Sequence, residues 1–201
     1  MPTFPVQLEL AGREVLVVGA VGEIAGKVPR LTRAGARVCV VTEGEVDPVV
    51  LAEVDAGRAT LARRPFVWTD VDDVWAVYVG AGHDALSDAL YAWATRERRL
   101  LNTVDRPATC TFLSPAVVEL PDLQIAVSTH GASPGTARRI REDLESAFRD
   151  PRFALYIAAL RRLRDALPRG ERAARLGRAI AGFELRATLA FPAWLERGED
   201  P

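Results

Sequence analysis

Short, continuous apolar runs alternate with helically spaced stretches over the first part of the chain. EVLVV at 14–18, VCVVT at 38–42, WAVYV at 75–79 and LLNTV at 100–104 are runs of this kind, and a weaker one lies at 59–62. Apolar runs of this length, rich in β-branched residues and bounded by glycine or polar turns, read as strands buried on both faces. Between them, residues 23–34, 47–56 and 84–98 read as helices. The last carries Leu86, Leu90 and Trp93 at three-to-four spacing, and Gly35 supplies a stop for the first. Strand, glycine turn, helix and strand make a βαβ unit, which builds a parallel sheet through right-handed crossovers. Repeated, the unit predicts an α/β domain of the doubly wound, Rossmann type over residues 1–112.

The pattern changes after that point. FLSPAVVEL at 112–120 and LQIAVST at 123–129 flank Pro121-Asp122 and predict a hairpin. Ser133-Pro134 opens a helix to about 148, with Ser as N-cap and Pro at the first helical position. From 150 to the end the spacing is helical only, interrupted once by Pro168-Arg169-Gly170, and the final ERGEDP is expected to fray. The expected parts are therefore 1–112, a β/α segment at 113–148, and a helical region at 149–201. One hairpin with one helix encloses little core, so its apolar face is expected to close across a two-fold axis.

Composition narrows the function classes. The chain has 201 residues, 49% hydrophobic and 26% charged, with a net charge of −1. Interspersed acids and bases leave no basic stripe for nucleic acid. No apolar run approaches the roughly 18 residues of a membrane span. MPTFPVQLEL lacks the basic-then-apolar order of a signal peptide, so a cytoplasmic location is expected. Cys39 and Cys110 are too few for a disulfide framework or a zinc site, and Cys39, inside VCVV, reads as a small buried hydrophobe. No Ser-His-Asp set, Walker loop or metal-ligand spacing is present, and no protein metal site is expected. Lysine occurs once, at Lys27; every other basic residue is Arg.

Three segments carry candidate chemistry. After the first strand comes Gly19-Ala20-Val21-Gly22-Glu23-Ile24-Ala25. A dinucleotide turn uses Gly-x-Gly-x-x-Gly/Ala, with an acid about 20 residues on for the ribose hydroxyls. Gly19 fits the first position, Val21 and Ile24 occupy the other two, and Gly22 with Ala25 offers a register one residue too long. Glu43, between Thr42 and Gly44, fits the acid. The turn is thus either a degenerate dinucleotide site or one that no longer binds a dinucleotide. The second segment, Asn102-Thr103-Val104-Asp105-Arg106-Pro107, lies at the carboxyl end of a predicted parallel strand, where open α/β sheets bind ligands. Asp105 there serves as a general base, a metal ligand, or an ordinary turn residue. The third, Ser128 to Gly135 with Arg138, Arg139 and Arg141 following, is a polar helix opening. It reads as an anion site or as a capped helix with a solvated basic face. Of the two histidines, His130 lies in this loop and His83 outside it.

Read together, these segments carry a family pattern. Asn102-x-Val104-Asp105-x-Pro107-x-x-Cys110-x-Phe112-x-x-Pro115-Ala116 leads to Leu123-x-Ile125-Ala126-Val127-Ser128-Thr129-x-Gly131-x-Ser133-Pro134. Ala137-Arg138-x-Ile140-Arg141-x-x-Leu144-Glu145 completes it. The pattern resembles the precorrin-2 dehydrogenase/sirohydrochlorin ferrochelatase family, which includes the N-terminal part of siroheme synthases. Pro5-Val6-Gln7-Leu8, Val17-Val18-Gly19, Lys27 and Ala34-Gly35-Ala36 agree with it, so the resemblance spans roughly residues 4–150. It implies a homodimer that oxidises precorrin-2 to sirohydrochlorin with NAD, with ferrous iron as a further substrate in many members. It also implies Asp105 as the central residue, handling substrate protons or assisting metal insertion. NAD would be held by Gly19, Gly22, Glu23, Ile24, Thr42, Glu43 and Gly44. The tetrapyrrole carboxylates would be met by Ser128, His130, Ser133, Arg138 and Arg139. The chain departs from the family pattern at the glycine turn, Gly19-Ala20-Val21 where three glycines are usual. It departs again at Gly80-Ala81-Gly82-His83-Asp84, where Ala-Thr-(Asn/Asp)-Asp is usual. The readings are therefore an NAD-dependent dehydrogenase, a chelatase or tetrapyrrole-binding protein that has lost NAD, and a non-catalytic dimeric module.

Overall fold

A computed structural model describes residues 3–197. The chain folds as two compact units, Met1–Pro115 with His130–Ala132, and Ala116–Thr129 with Ser133–Pro201. In the first unit, β1 (Glu14–Val18), β2 (Arg37–Thr42), β3 (Ala59–Arg63), β4 (Ala76–Val79) and β5 (Leu100–Thr103) form one parallel sheet, ordered β3-β2-β1-β4-β5. The helices are α1 (Val28–Arg33), α2 (Pro48–Asp55) and α3 (Asp84–Glu97). Val15 and Val17 of β1 join one apolar cluster with Val28 and Leu31 of α1. Leu16 and Val18 join another with Leu90 and Ala94 of α3. Alternate side chains thus enter opposite layers, and both faces of the strand need apolar residues. Each fully buried Leu or Val contributes about 2 kcal/mol of transfer free energy.

Several elements differ from the sequence expectation. The helix expected over 23–34 is a 3-10 turn at Ala25–Lys27 followed by the short α1. Pro29 lacks the N–H that would reach the Ala25 carbonyl, so Val28 donates there instead. Cys39 is half-buried rather than buried, packed at the margin of the second cluster. The 3-10 turns at Trp68–Val71 and Pro107–Thr109 carry no apolar periodicity and were not expected.

In the second unit, β6 (Ala116–Leu120) pairs antiparallel with β7 (Leu123–Val127), Leu120 opposite Leu123. β6 begins four residues later than the apolar run, because Leu113-Ser114-Pro115 lies outside the ladder. α4 (Pro134–Phe148) packs on both strands. The tail is α5 (Pro151–Ala166), α6 (Arg169–Ile180) and α7 (Ala193–Glu196). Pro168 ends one helix and caps the next, as expected, but residues 183–192 are neither helix nor strand, a correction to the all-helical tail. In that stretch Phe183 stacks on Tyr156 with ring centroids 5.1 Å apart, but Glu184 and Arg186 pair with each other and Leu185, Leu189 and Phe191 are exposed, so no helical stripe faces a neighbour. Of ERGEDP, residues 198–201 lie outside the described residues. Among the described residues of this unit, only Val118 and Ala137 are buried apolar side chains.

Candidate active site

The sheet order reverses between β1 and β4, the switch point at which doubly wound sheets bind ligands. Gly19 leaves β1 at φ +94° while its N–H donates to the Val41 carbonyl at 2.9 Å. Gly80 leaves β4 beside it; a Cβ at Gly80 would lie 3.1 Å from Ile24 Cγ2 and 3.3 Å from the Val18 carbonyl. Gly80 therefore supplies the close approach that the fingerprint usually assigns to a glycine of the turn itself. Gly22 stands at φ +68° with open space where its Cβ would be. Among the described residues, the N–H groups of Val21, Gly22 and Glu23 donate no bond within the protein. Val21 is 51% exposed, so its branched side chain stands on the open side of the turn. Ile24 is buried in the core, which leaves only its main chain for a ligand. The Glu23 carboxylate pairs with Lys27 at 3.0 Å.

Thr42 Oγ1 accepts from the Gly44 N–H at 3.2 Å and turns the chain at Glu43. Thr42 and Glu43 line a cleft of about 150 Å³ with Val18, Phe66, His83 and Leu86. Arg64 also lines it, but forks onto Asp70 at 2.5 and 2.9 Å. These bonds hold the Asp70 carboxyl below the usual carboxylate range. Free amides at the turn, an acid after β2 and an apolar floor fit an adenine dinucleotide, narrowed at Val21. A second depression, along Arg141, Glu142, Glu145 and Arg149, is lined by i,i+4 ion pairs and holds, of the candidate residues, Arg141 alone.

Asp105 follows β5 at φ +59°, a left-handed position that Asp tolerates better than most residues. Its carboxylate is exposed and makes no bond to another described residue. The loop beneath it is tightly held. Buried Asn102 donates to the Phe112 carbonyl at 3.1 Å, and its Oδ1 accepts from Ser114 at 3.4 Å. Cys110 Sγ accepts from the Thr103 N–H at 3.1 Å, and its single S–H lies within reach of the Thr103 and Arg106 carbonyls, both at 3.4 Å. Burial pushes the Cys110 thiol up, so it stays protonated and works as a hydrogen-bond clasp. Arg106 reaches α3, donating to the Asp84 carbonyl at 2.7 Å and to Asp88 at 2.8 Å.

The remaining candidates fall elsewhere. His130, at φ +52°, belongs to the first unit, its Nδ1 3.1 Å from Thr3 Oγ1. Ser128, Ser133, Arg138 and Arg139 belong to the second unit. Ser133 Oγ caps α4 by accepting from the Thr136 N–H at 3.3 Å. Arg138 and Arg139 are exposed and pair one turn on, with Glu142 and Asp143 at 3.1 Å. The first unit thus places Thr42 and Glu43 in the cleft and Gly19 of the turn against His83 on its wall, with Asp105 two strands from β1 on the same sheet edge. The sequence brings His83, Asn102 and Arg106 into view within its motifs but gives none of them a role. For His83 the available signal was a glycine-rich turn closing a second strand beside the first.

Comparison with known proteins adds the family. Residues 6–116 match the family model described as "Putative NAD(P)-binding", and residues 122–147 match "Sirohaem biosynthesis protein central". Siroheme synthase 1 of Klebsiella pneumoniae subsp. pneumoniae is 40% identical over 149 residues, 73% of this chain and 31% of that protein. Siroheme synthase of Escherichia coli strain K12 / DH10B is 35% identical over 147 residues, 73% and 32% of the two chains. The chain therefore spans about a third of the length of these curated relatives. A solved structure titled SirC, precorrin-2 dehydrogenase, shares the fold, with TM-score 0.75 and 24% identity over 89% of each chain. With the first model covering more than half of its residues and the central model directly after it, the chain belongs to the family of putative NAD(P)-binding domains, of the type followed by a sirohaem biosynthesis central segment.

Proposed function

We propose that this chain oxidises precorrin-2 to sirohydrochlorin, working as a cytoplasmic homodimer. The observation that carries the reading is the succession, in one chain, of an NAD(P)-binding domain and a sirohaem central segment. When bound at the turn, NAD supplies the acceptor for a hydride. The chain's own residues do the rest. The N–H groups of Gly22 and Glu23 meet the diphosphate, with Gly19 and the main chain of Ile24 shaping the turn. Glu43, between Thr42 and Gly44, accepts from the ribose hydroxyls. Removal of two hydrogens as hydride and proton needs a base, and Asp105 is an unpaired carboxylate on a clasped loop. Ser128, His130, Ser133, Arg138 and Arg139 meet the substrate's carboxylates, at the cost of the present Arg138–Glu142 and Arg139–Asp143 pairs. On this reading residues 1–112 bind the cofactor, 113–148 form the dimerisation segment, and 149–201 make a helical region with no role in these contacts.

The test is anaerobic incubation of the purified chain with precorrin-2 and NAD, following sirohydrochlorin and reduced nicotinamide together. Both rise in step if the reading holds; neither rises if it fails. Asp105→Asn is expected to lower kcat by about 10²-fold or more, with NAD affinity unchanged.

Val21, branched and exposed on the turn, favours a second reading, in which the chain no longer takes NAD. It would then bind sirohydrochlorin or insert ferrous iron as a substrate, with Asp105 receiving the displaced protons. Calorimetry decides between them: wild type that binds NAD supports the dehydrogenase, whereas binding only by Val21→Gly supports the second reading.

A further inference from the structure

We propose that His83 is a binding residue for the diphosphate of the dinucleotide, reaching it from the β4 side of the switch point. The proposal rests on the reading of the cleft as a dinucleotide site. It explains how a turn carrying Val21 in place of a second glycine holds a ligand at all.

The placement comes from the sheet. β4 lies beside β1, so the loop after β4 meets the glycine turn after β1. Gly80 donates to the Val18 carbonyl at 2.8 Å, which locks the two loops together. A Cβ built on Gly19 would lie 3.7 Å from Gly80 Cα and 3.5 Å from His83 Nε2. The imidazole therefore stands directly over the first glycine of the turn. Its backbone is fixed on both sides. Gly82, at φ +83°, swings the chain into α3, and the His83 carbonyl accepts from the N–H and the hydroxyl of Ser87, both at 2.8 Å. The ring, by contrast, makes no hydrogen bond or ion pair with another described residue.

The neighbouring charges favour His83 over the other candidates. Arg64 would have to leave Asp70 to meet an anion, and Lys27 would have to leave Glu23. Glu43 repels one. His83 can donate from Nε2 without breaking an existing pair. In the usual fingerprint the second glycine lets diphosphate approach the main chain. Val21 restricts that approach, and a donor on the opposite wall offsets the loss.

The test compares wild type, His83→Ala and His83→Gln for binding of NAD, ADP-ribose and adenosine by calorimetry. Thermal melts establish that the variants are folded. His83→Ala is expected to weaken NAD and ADP-ribose about tenfold, the scale of one lost charge-assisted hydrogen bond. Adenosine, which lacks the diphosphate, is expected to bind all three proteins alike. Gln, which keeps a donor without charge, is expected to fall between. Equal NAD affinity for wild type and His83→Ala overturns the proposal and leaves the dehydrogenase reading standing, as does a loss shared equally by adenosine. Absence of NAD and ADP-ribose binding by wild type overturns both.

Discussion

Two carboxylates of the first unit meet opposite surroundings. Buried Glu53 accepts from Arg58 at 2.7 and 2.9 Å and from Thr32 at 2.7 Å. The Arg58 hydrogen bonds first, then that of Thr32, lower its pKa from 4.5 to about 2. A depressed carboxylate pKa means stability that is present above 4.5 and lost as pH falls toward about 2. Glu53→Gln should therefore flatten the fall in urea midpoint over that interval, and parallel curves for the two proteins would refute the assignment. Glu53→Ala should cost about 2 kcal/mol at neutral pH. Asp105 has no such partners, so Asp105→Asn should leave the melting temperature where it is, since Asn also tolerates positive φ. The position of Asp105 was legible because the chain turns at the end of a recognisable strand. That of His83 was not: nothing in Gly80-Ala81-Gly82-His83 tells which way the ring faces until β4 lies beside β1.

Among the elements, the loop between β5 and β6 is held by side chains rather than by a ladder. Cys110→Ala leaves the buried Thr103 N–H without its acceptor and should cost about 1–2 kcal/mol. Cys110→Ser keeps an acceptor and should cost less. Chemical denaturation of the two variants checks the order. Asn102→Ala should lower kcat more than it raises KM, because the loop that aims Asp105 slackens while the cofactor cleft is untouched. Strand positions were legible from apolar runs because both faces of this sheet are covered. The first helix was misjudged because apolar spacing does not register one missing N–H, that of Pro29. The tail was misjudged because its Arg- and Leu-rich composition favours helix, whereas beyond Phe183, which stacks on Tyr156, residues 184–192 pack no apolar stripe against a partner.

For the whole molecule, the contrast between the two units has a consequence. The first unit has two apolar clusters, while the second buries only Val118 and Ala137 among its described apolar residues. An isolated two-stranded hairpin is marginal in water, and one helix adds little. The dimer proposed above supplies what is missing, so light scattering should give twice the chain mass. A monomer that melts cooperatively would refute it.

Lys27 is the only side-chain amine in the chain. It sits one turn past the glycines, 14% exposed and paired with Glu23. Acylating reagents therefore find a single internal target, placed beside the proposed cofactor turn. Its labelling, read by mass spectrometry, should be slow in the wild type and faster in Glu23→Gln. Any ligand that settles on the turn should shield it, which makes this amine a built-in footprint of occupancy that needs no added probe.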